Sequence, residues 1–308
     1  MIYITEDMCV YPHKTAVALG LFDGVHMGHR SVIGEAVAKA EDDVKSTVFT
    51  FKTDTFTSKG HDGRLEMLLP DSVKQQHFER LGVDLLFTPE FSKYKNMTDE
   101  EFVRCVLKEK LNACFAVCGE DFRFGRGAMG DADRLKVLGE KYEIEVRIIN
   151  HILLNGQRVS STRIRELIRN GDIAKANEML GYRYGYVLPV EHGNQIGRTW
   201  NFPTANQIIP NGMVLPEFGV YCTMVNVNGK WYRGVTNIGV KPTVEKCSIP
   251  LAETYILDYN GDLYGETIEI QLCEFVRPER VFGSFDELKE EIAKNIDFAK
   301  KYFDKMKI

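Results

Sequence analysis

Apolar positions in the first half of the chain fall into two alternating patterns. "TAVALG" (15–20), "KSTVFTFK" (45–52), "VDLLFTP" (83–89) and "ACFAVCG" (113–119) are short, nearly continuous apolar runs that read as buried strands. Between them lie stretches of helical period: "HRSVIGEAVAKAEDD" (29–43), "RLEMLLPDSVKQQHFERLG" (64–82, with a proline break), "TDEEFVRCVLKEKL" (98–111) and "DADRLKVLGEKY" (131–142). This βαβα rhythm predicts a parallel sheet with helices on both faces.

The rhythm changes from about Tyr186 to Val276, where segments are short, rich in Val, Tyr, Ile and Thr, and punctuated by glycine turns. "VNVNGKWYRGV" (225–235) predicts a hairpin around Asn228-Gly229, and "ILDYNGDLYG" (256–265) carries a second Asn-Gly at 260–261. Strands at this spacing indicate a small antiparallel barrel or sandwich. "SFDELKEEIAKNIDFAKKYF" (284–303) closes the pattern as a helix, with Ser284 and Glu287 expected to form a capping box. Two domains of different class follow, joined near "LGYRYGY" (180–186) and assigned to residues 1–182 and 183–308.

Composition narrows the function classes. The 308 residues are 44% hydrophobic and 27% charged, as in ordinary globular proteins, and allow two domains of about 150 residues. A net charge of −5 argues against a broad nucleic-acid-binding face. Apolar runs are too short for a membrane span, and "MIYITEDMCVYPHKTA" carries acids where a signal peptide needs a basic region, so a cytoplasmic location is expected. The seven cysteines, at 9, 105, 114, 118, 222, 247 and 273, include no C-x-x-C pair and read as reduced thiols.

Candidate chemistry is concentrated in three places. In "LFDGVHMGHR" (21–30), His26 and His29 stand where a strand should stop and a helix begin, three apart and on one face. Unpaired amides and the positive dipole end of that helix suit a polyphosphate, with the imidazoles touching the charge that develops during transfer. A metal site with Asp23 as third ligand and a plain structural turn are the alternatives. In "VSSTRIRELIRNGD" (159–172), Ser160, Ser161 and Thr162 are helix-start residues, and Ile164, Leu167 and Ile168 form a buried stripe. Arg165 and Arg169 share another face, and hydroxyls plus an arginine one turn in could hold a phosphate, although a capped surface helix looks the same. "GRGAMG" (125–130) fits G-x-G-x-x-G, but "GEDFRF" separates it from the strand, which favours a glycine-rich substrate loop over a dinucleotide fingerprint. No G-x-x-x-x-G-K-[ST] is present.

In the second half, "HGNQIGRTWNFPTAN" (192–206) joins a basic glycine turn, whose amides could meet phosphate between Gly193 and Gly197, to Thr204 and Asn206. Those two residues alternate onto the same side of an extended chain and could share magnesium and phosphate oxygens; an Asx-type turn is the plainer alternative. "AETYILDYNGDLYG" places Glu253 ahead of a strand, where a carboxylate could take a proton from an attacking alcohol or simply be a solvated surface group.

Taken together, "LGLFDGVHMGHR", "VCGEDFRFGRGAMGD" and "VSSTRIRELIRNGDIAKANEMLG" resemble the adenylyltransferase module of the bacterial bifunctional riboflavin kinase/FAD synthetases. "GRTWNFPTAN", "GVYCTMVNVNGKWYRGVTNIGVKPTV", "ETYILDYNGDLYGETIEI" and "VRPERVFGSFDELKEEI" resemble its riboflavin kinase module, in the family's order and over about residues 14 to 300. The resemblance implies an α/β plus all-β chain: a Rossmann-like nucleotidyltransferase domain, then a six-stranded antiparallel Greek-key barrel and a terminal helix. It implies that His26 and His29 act in adenylyl transfer, with Phe22, Asp23, Gly24, Gly28, Asp121, Ser161, Thr162 and Arg165 around the nucleotide. It further implies flavin contacts by Phe122 and Phe124. In the barrel it implies Gly193, Gly197, Arg198, Thr204 and Asn206 at the second nucleotide, Thr204 and Asn206 at Mg2+, Glu253 as general base, and Arg277 at the flavin.

Two departures from the family pattern stand out. "FTFKTDTFTSKGHDGR" lacks the family's Pro-His-Pro after the second strand, and Asn201, after Trp200, replaces a glycine of "GRxxGFPTAN". The expected function is phosphorylation of riboflavin to FMN, then adenylylation of FMN to FAD, with ATP as donor in both. The expected partners are these small molecules, with neither nucleic acid nor membrane. The alternatives are a chain with one working module and a non-catalytic flavin-binding regulator.

Overall fold

The computed structural model describes residues 1–5, 10–41, 43–53, 66–192, 203–241 and 249–307. Chain contacts divide it into two compact units, Met1–Ser161 and Thr162–Ile308.

The first unit is built on six parallel strands. In chain order they are β1 (Ile2–Ile4), β2 (Lys14–Leu19), β3 (Val44–Phe49), β4 (Leu85–Phe87), β5 (Ala113–Gly119) and β6 (Glu145–Ile149), in the spatial order β1-β4-β3-β2-β5-β6. The expected parallel sheet is met. Ala16, Val17 and Ala18 of β2 are fully buried, as a central strand covered on both faces requires. The chain runs outward from β2 through β3 to β4, then returns to β2's other side with β5. The strand order therefore reverses between β2 and β5, and open α/β sheets bind ligands outside the carboxyl ends of strands at such a point. Both "LFDGVHMGHR" and "GEDFRFGRGAMG" follow those two strands.

Helix α1 (Met27–Ala38) follows β2, α2 (Asp71–Arg80) precedes β4, and α3 begins as Asp99–Glu101 and continues as the wider π-helical Phe102–Lys110. The proline in the second periodic stretch does not kink a long helix: Pro70 stands at its start, and among the described residues of that stretch the helix spans 71–80. Helix α4 (Ala132–Lys141) lies between β5 and β6, capped by the Asp131 carboxylate accepting from Arg134 N. Phe49, Phe87, Phe102, Leu107 and Leu135 are core members on one side of the sheet.

Helix α5 (Ser161–Arg169) starts on the last residue of the first unit; in the second unit it and α6 (Ile173–Leu180) lead into strands β7 (Gly185–Pro189), β8 (Thr204–Ile208), β9 (Gly219–Val227), β10 (Lys230–Lys241), β11 (Ile249–Ile256) and β12 (Thr267–Pro278). All neighbours are antiparallel, in the order β7-β12-β9-β10-β11-β8. The long return of β12 to pair with β9 makes the Greek key. A bridge between Glu191 and Asn206 almost closes the barrel, and the buried Gln207 carboxamide donates across the same seam to Leu188 O and Ile268 O at 2.6 and 3.0 Å. Inside, the hydroxyls of Thr223, Thr236 and Thr254 link three strands at 2.9 and 2.8 Å, satisfying polar groups the core encloses.

The first Asn-Gly behaves as expected: Asn228 and Gly229, at φ 50° and 84°, join β9 to β10 in a two-residue turn. The second does not close a hairpin, because β11 pairs with β8 and β10 while β12 pairs with β7 and β9. Helix α7 (Phe285–Met306) lays Ala299 and Phe303 over Cys222, Met224 and Val235 on the outer face of the barrel. Its cap differs from a full box: the Ser284 hydroxyl accepts from Glu287 N, but the Glu287 carboxylate turns to Gly283 N. Cys118, Cys222 and Cys273 are buried free thiols, and burial pushes them up to about 12, 12 and 11, as inert packing groups. Cys9 and Cys247 lie outside the described residues.

Candidate active sites

The first site is the turn between β2 and α1. Its backbone is strained: Phe22, Gly24 and Val25 have φ of 50°, 83° and 35°, and a β-branched residue at positive φ is a real outlier. The turn delivers His26 to the N-cap of α1, where its Nδ1 accepts from His29 N at 3.3 Å. With Nδ1 accepting, the neutral ring carries its proton on Nε2 and presents a donor there. The two imidazoles stack, with centroids 3.5 Å apart and planes 19° from parallel. Gly28 is what lets the His26 ring lie there, since a Cβ would stand 3.2 Å from its Cε1. The first turn of α1 has no acidic residue to neutralise its positive end. Donors and dipole thus converge as an anion site requires.

Asp23 is placed differently from a metal ligand. Its buried carboxylate accepts from Leu68 N at 3.0 and 3.1 Å and from Leu69 N at 3.3 Å, tying a remote segment to the turn. Among the described residues no group of three or more His, Cys, Asp or Glu side chains is arranged to hold a metal. Ser161 joins the turn by donating its hydroxyl to Asp23 O at 2.9 Å. Thr162 and Arg165 follow on α5 in the second unit, with Arg165 buried beside the predicted stripe of Ile164, Leu167 and Ile168, and Thr162 exposed.

Past β5, the Asp121 carboxylate pairs with Arg158, while Glu120 accepts from His151 N at 2.7 Å. Phe122 and Phe124 stack at 5.7 Å, but Phe124 is sunk in the core against Phe102 and only Phe122 is partly open. Two glycines of "GRGAMG" serve packing. A Cβ on Gly125 (φ 72°) would meet Asp99 N at 2.8 Å, and one on Gly130 would meet the Phe124 ring at 2.8 Å. No dinucleotide fingerprint is formed, because Asp131 caps α4 with its own side chain.

Behind this site, His77 of α2 is partly buried, and burial together with the Arg30 and Arg80 cations pushes it down to about 4. Between about pH 6.5 and 4 the unfolded chain therefore binds a proton there that the folded one does not. Stability of the first unit rises with pH across that window and falls as pH drops through it. The expected outcome is that His77→Gln flattens the pH dependence of the melting temperature between pH 6.5 and 4, measured by circular dichroism; an unchanged slope would remove His77 as its source.

The second site lies on the outer face of the barrel where β8 meets β11. Asn206 stands directly opposite Glu253, and Thr204 opposite Tyr255, so Thr204, Asn206 and Glu253 share one face. Glu253 sits mid-strand rather than ahead of the strand as the sequence suggested, because β11 starts at Ile249. Burial alternates along it, with Ala252 and Thr254 inward and Glu253 exposed. Asn206 is mostly buried, and its Nδ2 donates to Thr204 O at 3.3 Å. Thr204 and Asn206 thus offer hard oxygen donors of the kind magnesium uses alongside phosphates. A residue not anticipated from sequence joins them: Asn237 on β10 is the other cross-strand neighbour of Glu253. Only the barrel register reveals it.

Arg277 is held by the terminal helix. Its Nε lies 3.1 Å from Glu291 Oε1 and 3.3 Å from Asn295 Oδ1, its Nη1 donates to Pro278 O, and the cation rests over the Phe282 ring. Burial pushes its guanidinium below the ordinary arginine range. Gly193, Gly197, Arg198 and Asn201 lie outside the described residues, as do 54–65 of the departing "FTFKTDTFTSKGHDGR".

Residues 10–163 match the FAD synthetase family and residues 180–303 match the riboflavin kinase family. A protein of Haemophilus influenzae named bifunctional riboflavin kinase/FMN adenylyltransferase is 33% identical, over 94% of this chain and 94% of its own. One of Bacillus subtilis with the same name is 33% identical, over 96% and 94%. The chain belongs to the bifunctional riboflavin kinase/FMN adenylyltransferase family. A solved structure from Streptococcus pneumoniae, described as a macrolide-efflux protein, superposes with a TM-score of 0.87 at 29% identity, covering 97% of this chain and 99% of that one. No helix among the described residues is long and apolar enough to cross a membrane.

Proposed function

We propose that the chain makes FAD from riboflavin in two ATP-dependent steps, one in each half. The observation that carries this reading is the tiling of the two family matches, one per half, each over its own cluster of polar groups. The first step belongs to the barrel. The 5′-hydroxyl of the ribityl chain attacks the γ-phosphorus of ATP, the new O–P bond forms as the β–γ bridge breaks, ADP leaves, and Glu253 takes the hydroxyl proton. Thr204 and Asn206 orient the nucleotide and would hold Mg2+, which would supply charge neutralisation on the phosphates. Asn237, beside Glu253, supports the carboxylate or the alcohol.

The second step belongs to the histidine turn. A phosphate oxygen of FMN attacks the α-phosphorus of ATP, the α–β bridge breaks, and pyrophosphate leaves. His26, His29 and the α1 amides stabilise the charge that builds up, so positioning and electrostatics provide the rate without a covalent intermediate. Phe22, Gly24 and Gly28 shape the turn, Asp23 braces it, Ser161 and Asp121 stand with it in the first unit, and Thr162 and Arg165 are assigned to nucleotide binding. Phe122 offers the more accessible ring for the flavin, backed by Phe124. Residues 1–182 are assigned to adenylyl transfer and 183–308 to the kinase, with Gly193, Gly197, Arg198 and Arg277 serving the latter. The partners are small molecules and the location cytoplasmic.

Product analysis tests the reading. Riboflavin with Mg-ATP should give FMN and then FAD on chromatography. FMN without FAD would indict the first half, and FAD from FMN but nothing from riboflavin would indict the second. Flavin binding with neither product would make the protein a regulator.

A further inference from the structure

The strained histidine turn must be held by its surroundings, because positive φ at Phe22 and Val25 persists only where other contacts over-determine it. Two separate ties do this. Thr50, just past β3, donates its hydroxyl to Leu21 O at 2.9 Å. The Asp23 carboxylate receives the amides of Leu68 and Leu69. These two partner segments are themselves joined: Asp71 accepts from Thr53 N at 3.0 Å and from Thr53 Oγ1 at 2.5 Å. The lacing closes on itself, from the turn to the end of β3, from there to the start of α2, and back to the turn.

At the knot lies Lys74, an ammonium buried to 2% exposure, 2.8 Å from Asp71 Oδ1 and 3.0 Å from Thr53 Oγ1. A lysine is almost never this deeply buried without a reason, since its charge must be matched by a partner held in place. Here the partner is a carboxylate that connects α2 to the chain leaving β3. Burial pushes the Asp71 carboxyl up, but Lys74 and Thr53 more than reverse this and hold it below the usual range, so the carboxylate form is favoured. None of these groups has a role in the reaction described above.

We propose that Lys74, through Asp71 and Thr53, is a positioning residue for adenylyl transfer that fixes the His26–His29 turn from behind. The proposal rests on the adenylyltransferase reading of that turn. Small displacements of reacting groups cost large factors in rate, so the network acts on turnover rather than on whether the unit folds.

The test uses the full-length chain with Lys74→Met, Asp71→Asn and the charge-free pair Asp71→Leu/Lys74→Met. FAD formation from FMN and Mg-ATP is expected to fall about 10- to 100-fold in all three, with FMN formation from riboflavin unchanged in the same preparations. Removing both charges should restore the melting temperature lost in the single variants without restoring the rate, which separates positioning from stability. The side-chain resonances of His26 and His29 should also shift in substrate-free Lys74→Met. A wild-type rate in Lys74→Met, unshifted histidine resonances, or a rate that recovers with the melting temperature in the pair would overturn the proposal. Wild-type protein that makes no FAD would instead sink the adenylyltransferase reading, and the histidine resonances would still decide the positioning role.

Discussion

His29→Ala is expected to lower FMN adenylylation by about 100- to 1,000-fold while leaving riboflavin phosphorylation by the same protein unchanged. The size follows from removing one preorganised donor aimed at developing phosphate charge. His29 is the better probe of the pair. His26 is the N-cap of α1, so replacing it also removes a helix cap worth about 1 kcal/mol and mixes stability into the result. The group that bonds the His26 ring is the backbone N of residue 29, which alanine retains. The helix start therefore survives, and only the stacked imidazole is lost. Chromatography of FAD from FMN and Mg-ATP measures the loss, with FMN formation as the internal control for folding. A variant within about threefold of wild type would mean that this imidazole does not contact the transferring group, and both reactions failing in a folded protein would break the two-site division.

The parts of this architecture that are legible in sequence are those written in local patterns. Continuous apolar runs announce the buried central strands β2 and β5, and Asn228-Gly229 announces the β9–β10 hairpin, because burial on two faces and positive φ each demand particular residue types. Edge elements are quieter. Ile2–Ile4 is three residues long and half exposed, and Glu145–Ile149 interleaves charges with apolar residues, so neither carries a strong strand signal. The histidine turn is legible for a different reason: its functional groups lie within a few residues of one another. Lys74, Asp71 and Thr53 are not, since Thr53 meets Asp71 and Lys74 across 18 and 21 residues and each alone resembles an ordinary polar position on a helix or loop. Asn237 is hidden in the same way, because it faces Glu253 only once the register of β10 and β11 is set.

That register also supports the other large expected effect. Glu253→Gln should lower riboflavin phosphorylation by about 100- to 10,000-fold and leave FAD formation from supplied FMN intact. Glutamine keeps the length of the side chain and a hydrogen-bonding oxygen, so the exposed outer face of β11 has no reason to rearrange. What it loses is the ability to accept a proton from an alcohol. Its cross-strand neighbours are Asn206 and Asn237, whose carboxamides can hydrogen-bond a carboxylate or a glutamine alike. If Glu253 instead only bound substrate, the Gln variant would raise KM for riboflavin and keep kcat. If it were a solvated surface group, neither constant would move. A fall in kcat at saturating riboflavin and Mg-ATP, with adenylylation of added FMN preserved, is the outcome that assigns the proton to Glu253.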